Sequence, residues 1–205
     1  MAPTGVDRSS SAAGLILAST SAYRRGLLER LGIPFRCRPP LCDESGLMRE
    51  FSGLEPRRLA EKLASAKASS LALEEPDSVI IGCDQLVSFG GRVYGKPGTA
   101  DRAVDQLAAM SGQTHELITA LVVIRRAEVF AHTDVTRLRM RPLSREMIER
   151  YVAADRPLDC AGSYKLESRG IVLFDRIESE DHSSVTGMPL IALVTILREI
   201  GFPIP

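Results

Sequence analysis

Residues 15–32 read LILASTSAYRRGLLERLG. Leu15 to Ala18 is a short apolar run of the kind a buried strand makes. Leu27, Leu28 and Leu31 then recur at helical spacing, and Gly32-Ile33-Pro34 stops that helix. Between run and helix lie Ser19, Thr20, Ser21, Tyr23, Arg24 and Arg25. A strand that ends in hydroxyls and opens a helix offers free backbone N–H groups, and the helix dipole adds partial positive charge there. Two arginines in the first turn oppose that dipole, where Asp or Glu would be favoured. A docked anion removes the misfit, because guanidinium forks match phosphate oxygens. Taken alone, the segment reads equally as a Ser-capped helix with solvated arginines.

Working outward, the same alternation continues. Residues 39–54 hold prolines, glycines and charges and read as a loop. Pro56 to Glu75 is a long helical pattern, with Leu59, Leu63, Ala66 and Leu73 near one face. Ser78 to Cys83 (SVIIGC) is a strand with Asp84 at its C-terminal end, and FGGRVYGKPG is a glycine-rich hairpin and turn. Thr99 caps a helix through Met110. Glu116–Arg125 and Glu128–Met140 are β-rich with a tight connection, so they pair as an antiparallel hairpin. Ser144 opens a helix to about Ala154, Gly170 to Ile177 is a strand, and Pro189 to Ile200 is a last helix with Pro189 in its first turn. Interspersed strands and helices with an antiparallel hairpin predict an α/β fold on a mixed, twisted sheet flanked by helices.

The whole chain sets limits on function. Its 205 residues suit one domain, expected over residues 15–205 after a disordered lead over residues 1–14. Lys plus Arg is 26 and Asp plus Glu is 26, so no broad basic field draws it to nucleic acid. No apolar stretch approaches the ~20 residues of a membrane helix, and the polar start lacks a signal-peptide core, so a cytoplasmic location is expected. Cys37, Cys42, Cys83 and Cys160 form no C-x-x-C pair and no zinc spacing, and read as buried or half-buried free thiols.

Several short segments carry chemistry-bearing residues. Asp84-Gln85 follows a buried strand where α/β proteins bind ligands. Lys96 is held between turn residues in Gly95-Lys96-Pro97-Gly98, although the P-loop spacing is missing. Lys67 reads by default as a solvated helix residue. In CAGSYKLE, residues 160–167, the small residues suggest close backbone approach, and Glu167 is acidic where the chain reads as pocket wall. His115, His132 and His182 are scattered, and none pairs with a nucleophile. Each of these segments has a bland reading as turn or surface.

Their order is more telling. LILASTSAYRRGLLERLGI, CDES, AEKLASAKA, IGCDQLVSFGGRVYGKPG, QLAAMSGQTHELIT, CAGSYKLESRGI and VTGMPLIAL together resemble the Maf family of nucleoside triphosphate pyrophosphatases, from Leu15 to the C-terminus. The resemblance implies two lobes around a central cleft. It also implies hydrolysis of a nucleoside triphosphate between its α and β phosphates, a divalent cation (Mg²⁺ or Mn²⁺), a cytoplasmic and often dimeric protein, and the removal of non-standard nucleotides. It places the S-x-S-x-x-R segment on Ser19, Ser21 and Arg24, the proton acceptor on Asp84, phosphate-contacting lysines on Lys67 and Lys96, and a loop acid on Glu44. With Asp84, Glu44 supplies hard oxygen donors for the metal.

Three positions separate the family's branches. Tyr23, Gln85 and Glu167 match the branch that resembles 7-methyl-GTP pyrophosphatases, not the branch that prefers dTTP and UTP. An aromatic face attracts the cationic 7-methylguanine ring, and Glu167 suits its charge and its N–H donors. Ala22, Tyr23, Ser168 and Met188 stand where the family commonly has Pro, Trp, Gly and Leu. A Ser at a position needing positive φ would strain the turn that aims Glu167. A broader pyrophosphatase acting on UTP, CTP, dTTP or GTP, and a nucleotide-binding regulator of division without turnover, are the competing readings.

Overall fold

Every residue of β1 (Leu15–Ala18) is buried, and its side chains alternate between two hydrophobic layers. Leu15 and Leu17 pack with α1 (Ala22–Glu29), while Ile16 and Ala18 face the opposite side of the sheet. The computed structural model describes residues 14–202 and 204. Apart from Gly14, the expected lead over residues 1–14 lies outside the described residues. The next elements are β2 (Arg36–Arg38), α2 (Glu44–Glu50), α3 (Pro56–Ala72), β3 (Val79–Phe89), β4 (Arg92–Tyr94) and α4 (Ala100–Met110). After them come β5 (Thr114–Arg125), β6 (Glu128–Met140), α5 (Arg145–Asp155), β7 (Phe174–Glu178) and α6 (Leu190–Glu199).

Among the described residues the sheet has seven strands in the order β2-β1-β3-β5-β6-β7, with β4 paired to β3. β1 runs parallel to β2 and β3, and the other pairings are antiparallel, so the sheet is mixed as expected. α1 and α6 cover one face near β1, and α3 covers the other. Beyond β1, the long strands β3, β5 and β6 continue into a second lobe with its own core. There Val87, Leu107, Leu117, Leu138, Ile148 and Tyr151 pack between the strands, α4 and α5. The cleft opens where β1 stops and its neighbours continue.

Several local readings need correction. Asp84 does not follow β3 but lies inside it. Pairing with β1 ends at Leu17↔Ile81, whereas pairing with β5 runs on to Ser88↔Glu116. Residues 39–54 are not all loop: α2 forms because Leu47, Met48 and Phe51 dock on the α3 side of the core. The buried stripe of α3 is Leu59, Leu63, Lys67 and Leu71 with Ala60, Ala64 and Ala68, while Leu73 lies past the helix and is 95% exposed. Residues 169–173 form a 3-10 turn, and the strand begins only at Phe174. The turn is pinned by Gly170 N–H donating to the Lys165 carbonyl at 2.8 Å. Pro189 is the N-cap of α6 and not part of its first turn. Ser168 has φ −121, so it carries no left-handed strain, and its hydroxyl donates to Asp155. Among the described residues no helix is long and apolar enough to cross a membrane.

Candidate active site

Strand periodicity decides which way the residues beyond β1 point. Ile80 and Gly82 face α3, and Asp84, two residues on, faces the same way. Gln85 faces the opposite side. A Cβ on Gly82 would lie 2.3 Å from the Ala64 carbonyl oxygen and 2.7 Å from the Ala68 nitrogen. The helix therefore approaches the strand as closely as the bare glycine allows. That approach brings Lys67, on the buried stripe of α3, onto Asp84.

Lys67 Nζ donates to Asp84 Oδ1 at 2.7 Å and pairs with Glu44 Oε2 at 2.8 Å. Lys67 is therefore not the solvated residue its helix would suggest; it is 6% exposed. Burial is the largest influence and opposes its charge, but Asp84 and Glu44 together more than offset it and raise the Lys67 pKa above the ordinary lysine value. Burial raises the Asp84 carboxyl pKa, and Lys67 and Arg24 offset this only in part. Asp84 Oδ2 is buried with no hydrogen-bond partner. That leaves one carboxylate oxygen available to a ligand, a water or a cation.

The turn after β1 is built around its hydroxyls. Ser21 caps α1 by accepting from Arg24 N–H at 3.4 Å. Ser19 Oγ accepts from Ser21 N–H at 3.1 Å and lies 3.5 Å from Arg24 Nη1. Arg24 Nε donates to the Gly187 carbonyl at 3.0 Å, which aims its guanidinium into the cleft. Arg25 is exposed and does not line the cleft, so only one of the two arginines fits the anion reading. The first turn of α1 holds no acidic residue.

The cleft has a volume of about 480 Å³. Ser19, Tyr23, Arg24, Glu44, Lys67, Gln85, Lys96 and Glu167 all line it, brought together from six segments of the chain. Asp84 lies beneath this lining, behind Lys67, and is 7% exposed. Lys96 is exposed on the rim. Gln85 does not present a free amide: its Nε2 donates to the Ser184 carbonyl at 2.8 Å and to Thr119 Oγ1 at 3.0 Å. Its carbonyl oxygen is the part left to meet a ligand.

One wall holds Tyr23 with Asp159, Cys160 and Glu167. Burial, then the neighbouring Cys160, raises the Tyr23 hydroxyl pKa, with Glu167 and Asp159 adding to it against Lys165. The hydroxyl thus stays protonated beside a carboxylate-rich wall. The Cys160 thiol is pushed up to about 12, first by burial and then by Asp159, so it is no thiolate nucleophile. All four cysteines are free, as read from their spacing. The backbone reaches this wall through Gly162, whose φ is +71 and whose Cβ would lie 2.7 Å from Val87 Cγ2. This is the close approach expected of the small residues after Cys160.

Some residues of the site escaped the sequence reading. Asp159 carries no motif signal. Gly82 does carry one, since a lone glycine within a β-branched strand marks a close backbone approach. Val185–Gly187 carried only a likeness and Ser184 no signal at all, yet the Gly187 and Ser184 carbonyls hold Arg24 and Gln85.

The donor set also bears on a metal. Among the described residues no group of three or more His, Cys, Asp or Glu side chains converges as a metal site. Glu44 and Asp84 do converge, because both pair with the one Lys67 ammonium, and Asp84 Oδ2 is unpartnered. Two hard carboxylates are the donor type a divalent cation takes.

Comparison with known proteins adds to the geometry. The family model described as Maf-like protein matches residues 14–200. A Bdellovibrio bacteriovorus protein named 7-methyl-GTP pyrophosphatase is 52% identical over 184 residues, covering 90% of this chain and 95% of its own. A Xanthomonas oryzae pv. oryzae protein of the same name is 46% identical over 191 residues, covering 93% of this chain and 98% of its own. A Pseudomonas putida protein, again so named, is 44% identical over 193 residues, with 93% and 98% covered.

Proposed function

Because the chain belongs to the Maf-like family, we propose that it hydrolyses 7-methyl-GTP to 7-methyl-GMP and pyrophosphate. The observation that carries this reading is the sorting of charge within one cleft. Arg24, Lys67 and Lys96 supply cations for a triphosphate, while Tyr23 and Glu167 present an aromatic ring and a carboxylate on the wall beside Asp159, whose own charge is paired with Lys165 at 3.2 Å. 7-Methyl-GTP has the matching polarity, with an anionic tail and a cationic base. A thymine or uracil base brings no positive charge to that wall. The shared names of the relatives point the same way.

In the proposed reaction the triphosphate lies against the N-terminus of α1. Ser19 and the free N–H groups there receive phosphate oxygens. Arg24, Lys67 and Lys96 neutralise the charge that gathers on the leaving pyrophosphate, as phosphoryl transfer requires. A water oxygen bonds to phosphorus at the α–β bridge, and the bridging P–O bond breaks. The proton of that water passes to Asp84, whose Oδ1 is held by Lys67 and whose Oδ2 is unpartnered. Glu44 and Asp84 would hold the divalent cation, which supplies further charge neutralisation and polarises phosphate oxygens. Tyr23 stacks on the cationic base, Glu167 accepts from its N–H groups, and the Gln85 carbonyl oxygen adds a polar contact.

Product analysis tests the bond cleaved. With 7-methyl-GTP and Mg²⁺, the expected products are 7-methyl-GMP and pyrophosphate in equal amounts. Formation of 7-methyl-GDP and orthophosphate would overturn the proposed reaction.

A further inference from the structure

Asp181 is 5% exposed, yet its carboxylate accepts three hydrogen bonds. Its Oδ1 accepts from Ser183 N–H at 2.9 Å and from the Ser183 hydroxyl at 2.5 Å. Its Oδ2 accepts from Ile191 N–H at 2.7 Å, in the first turn of α6. Ser183 Oγ in turn accepts from Leu190 N–H at 2.8 Å. Helix α6 has no cap of its own, because its N-cap is Pro189 and makes no side-chain bond. Asp181 and Ser183 therefore cap it from a distance of several residues, and a carboxylate suits that end of a helix.

This capping closes residues 181–191 into a loop. One end is tied to the sheet: Ser179 Oγ, 3.0 Å from Thr136 Oγ1 on β6, donates to the Asp181 carbonyl at 2.9 Å. The other end is α6, whose Leu193 and Leu197 are buried in the core. Between them the chain makes a tight turn, with Ser184 N–H on the Asp181 carbonyl and Gly187 N–H on the Ser184 carbonyl, both at 3.0 Å. Two carbonyls of that turn hold residues of the cleft. Gly187 O receives Arg24 Nε, and Ser184 O receives Gln85 Nε2 and Thr119 Oγ1.

We propose that Asp181 is a positioning residue of the nucleotide site: by clasping the start of α6 to the turn before it, it places the carbonyls that orient Arg24 and Gln85. This rests on the pyrophosphatase reading above only for the ligand, a nucleoside triphosphate. Asp181 lies outside the lining of the cleft and acts through the turn. The clasp separates two properties. Its bond to Ile191 N–H supports α6, and the turn it closes sets the Arg24 guanidinium.

The test is a double-mutant cycle between Asp181 and Arg24, read as the dissociation constant of an α,β-methylene nucleoside triphosphate. That readout requires no turnover. Thermal unfolding is followed in parallel, and binding is measured below each transition. Asp181→Ala and Arg24→Ala should each weaken binding about tenfold, and the double variant should lose clearly less than the product of the two single losses, the remainder beyond Arg24→Ala coming from Gln85. Asp181→Asn, which keeps one acceptor, should recover part of the loss. Multiplicative losses in the double variant, or a lowered unfolding temperature with unchanged affinity, would overturn the proposal. If Asp181→Ala does not fold, Ser183→Ala carries the same cycle and is held to the same outcomes. Tight binding of the analogue by a wild-type protein that releases no pyrophosphate from any nucleotide would instead count against the pyrophosphatase reading alone.

Discussion

The Lys67 ammonium stands 2.7 Å from Asp84 Oδ1, and both side chains are buried at the seam between helix and strand. A buried cation and carboxylate so placed are costly to separate, since either one alone is left charged in a dry environment. The seam exists because Gly82 lets α3 lie against β3.

Lys67→Met should therefore damage both stability and activity. It leaves Asp84 buried without its main partner, at a cost of roughly 3–5 kcal/mol. Urea unfolding of the variant should show a lower midpoint with an unchanged slope, and pyrophosphate release should fall by at least about a hundredfold. A variant as stable and active as the wild type would remove the pair from the account.

Gly82→Ala tests the seam itself. The new methyl would meet backbone atoms of Ala64 and Ala68, which have no flexible end to give way. The helix must shift, at a cost of about 1–3 kcal/mol. Because Lys67 rides on that helix, turnover should fall about tenfold or more while the chain still folds. Circular dichroism on melting, set beside turnover of the folded variant, separates the two effects.

Glu167→Gln tests base recognition. Glu167 is an exposed side chain on the cleft wall, so its loss should leave unfolding unchanged within about 0.5 kcal/mol. The ratio of kcat/KM for 7-methyl-GTP over GTP should drop about tenfold, because only the methylated base is cationic. Equal losses on both nucleotides would show that Glu167 does not read the charge.

His115 predicts how stability responds to acid. Its ring is buried, with Nε2 3.0 Å from Tyr164 Oη and Nδ1 unpartnered, and burial lowers its pKa to about 4. An unfolded histidine titrates near 6.5. Between those values the unfolded chain binds the extra proton, so stability present above pH ~6.5 is lost as the pH falls towards ~4. The loss reaches about 3 kcal/mol. Denaturant midpoints at pH 7 and pH 5 should differ in the wild type and differ less in His115→Gln.

The strand-turn-helix of residues 15–32 was legible because its apolar runs have two distinct periods, and the turn between them had to face a cleft. The hairpin of β5 and β6 was legible from two β-rich runs joined by a tight connection. Lys67 was not, since a lysine is expected in water and only the stripe Leu59, Leu63, Leu71 reveals that position 67 faces inward. Tracing Ala66 and Leu73 instead misses both Lys67 and Leu71. α2 was hidden by its charges, because Leu47, Met48 and Phe51 mean little until α3 is there to receive them. Asp84 seemed to end its strand because β1 stops three residues earlier in the pairing, a fact that belongs to the partner strands. The Asp181 clasp joins residues whose short-range pattern is that of any polar turn.

The most direct measurement is pyrophosphate release from 7-methyl-GTP, GTP, dTTP, UTP and CTP, with Mg²⁺ or Mn²⁺, by the wild type and by Asp84→Asn side by side. The account predicts that 7-methyl-GTP has the highest kcat/KM and that the variant loses activity on every nucleotide. Equal turnover of dTTP and 7-methyl-GTP, or an Asp84→Asn protein as active as the wild type, would contradict it.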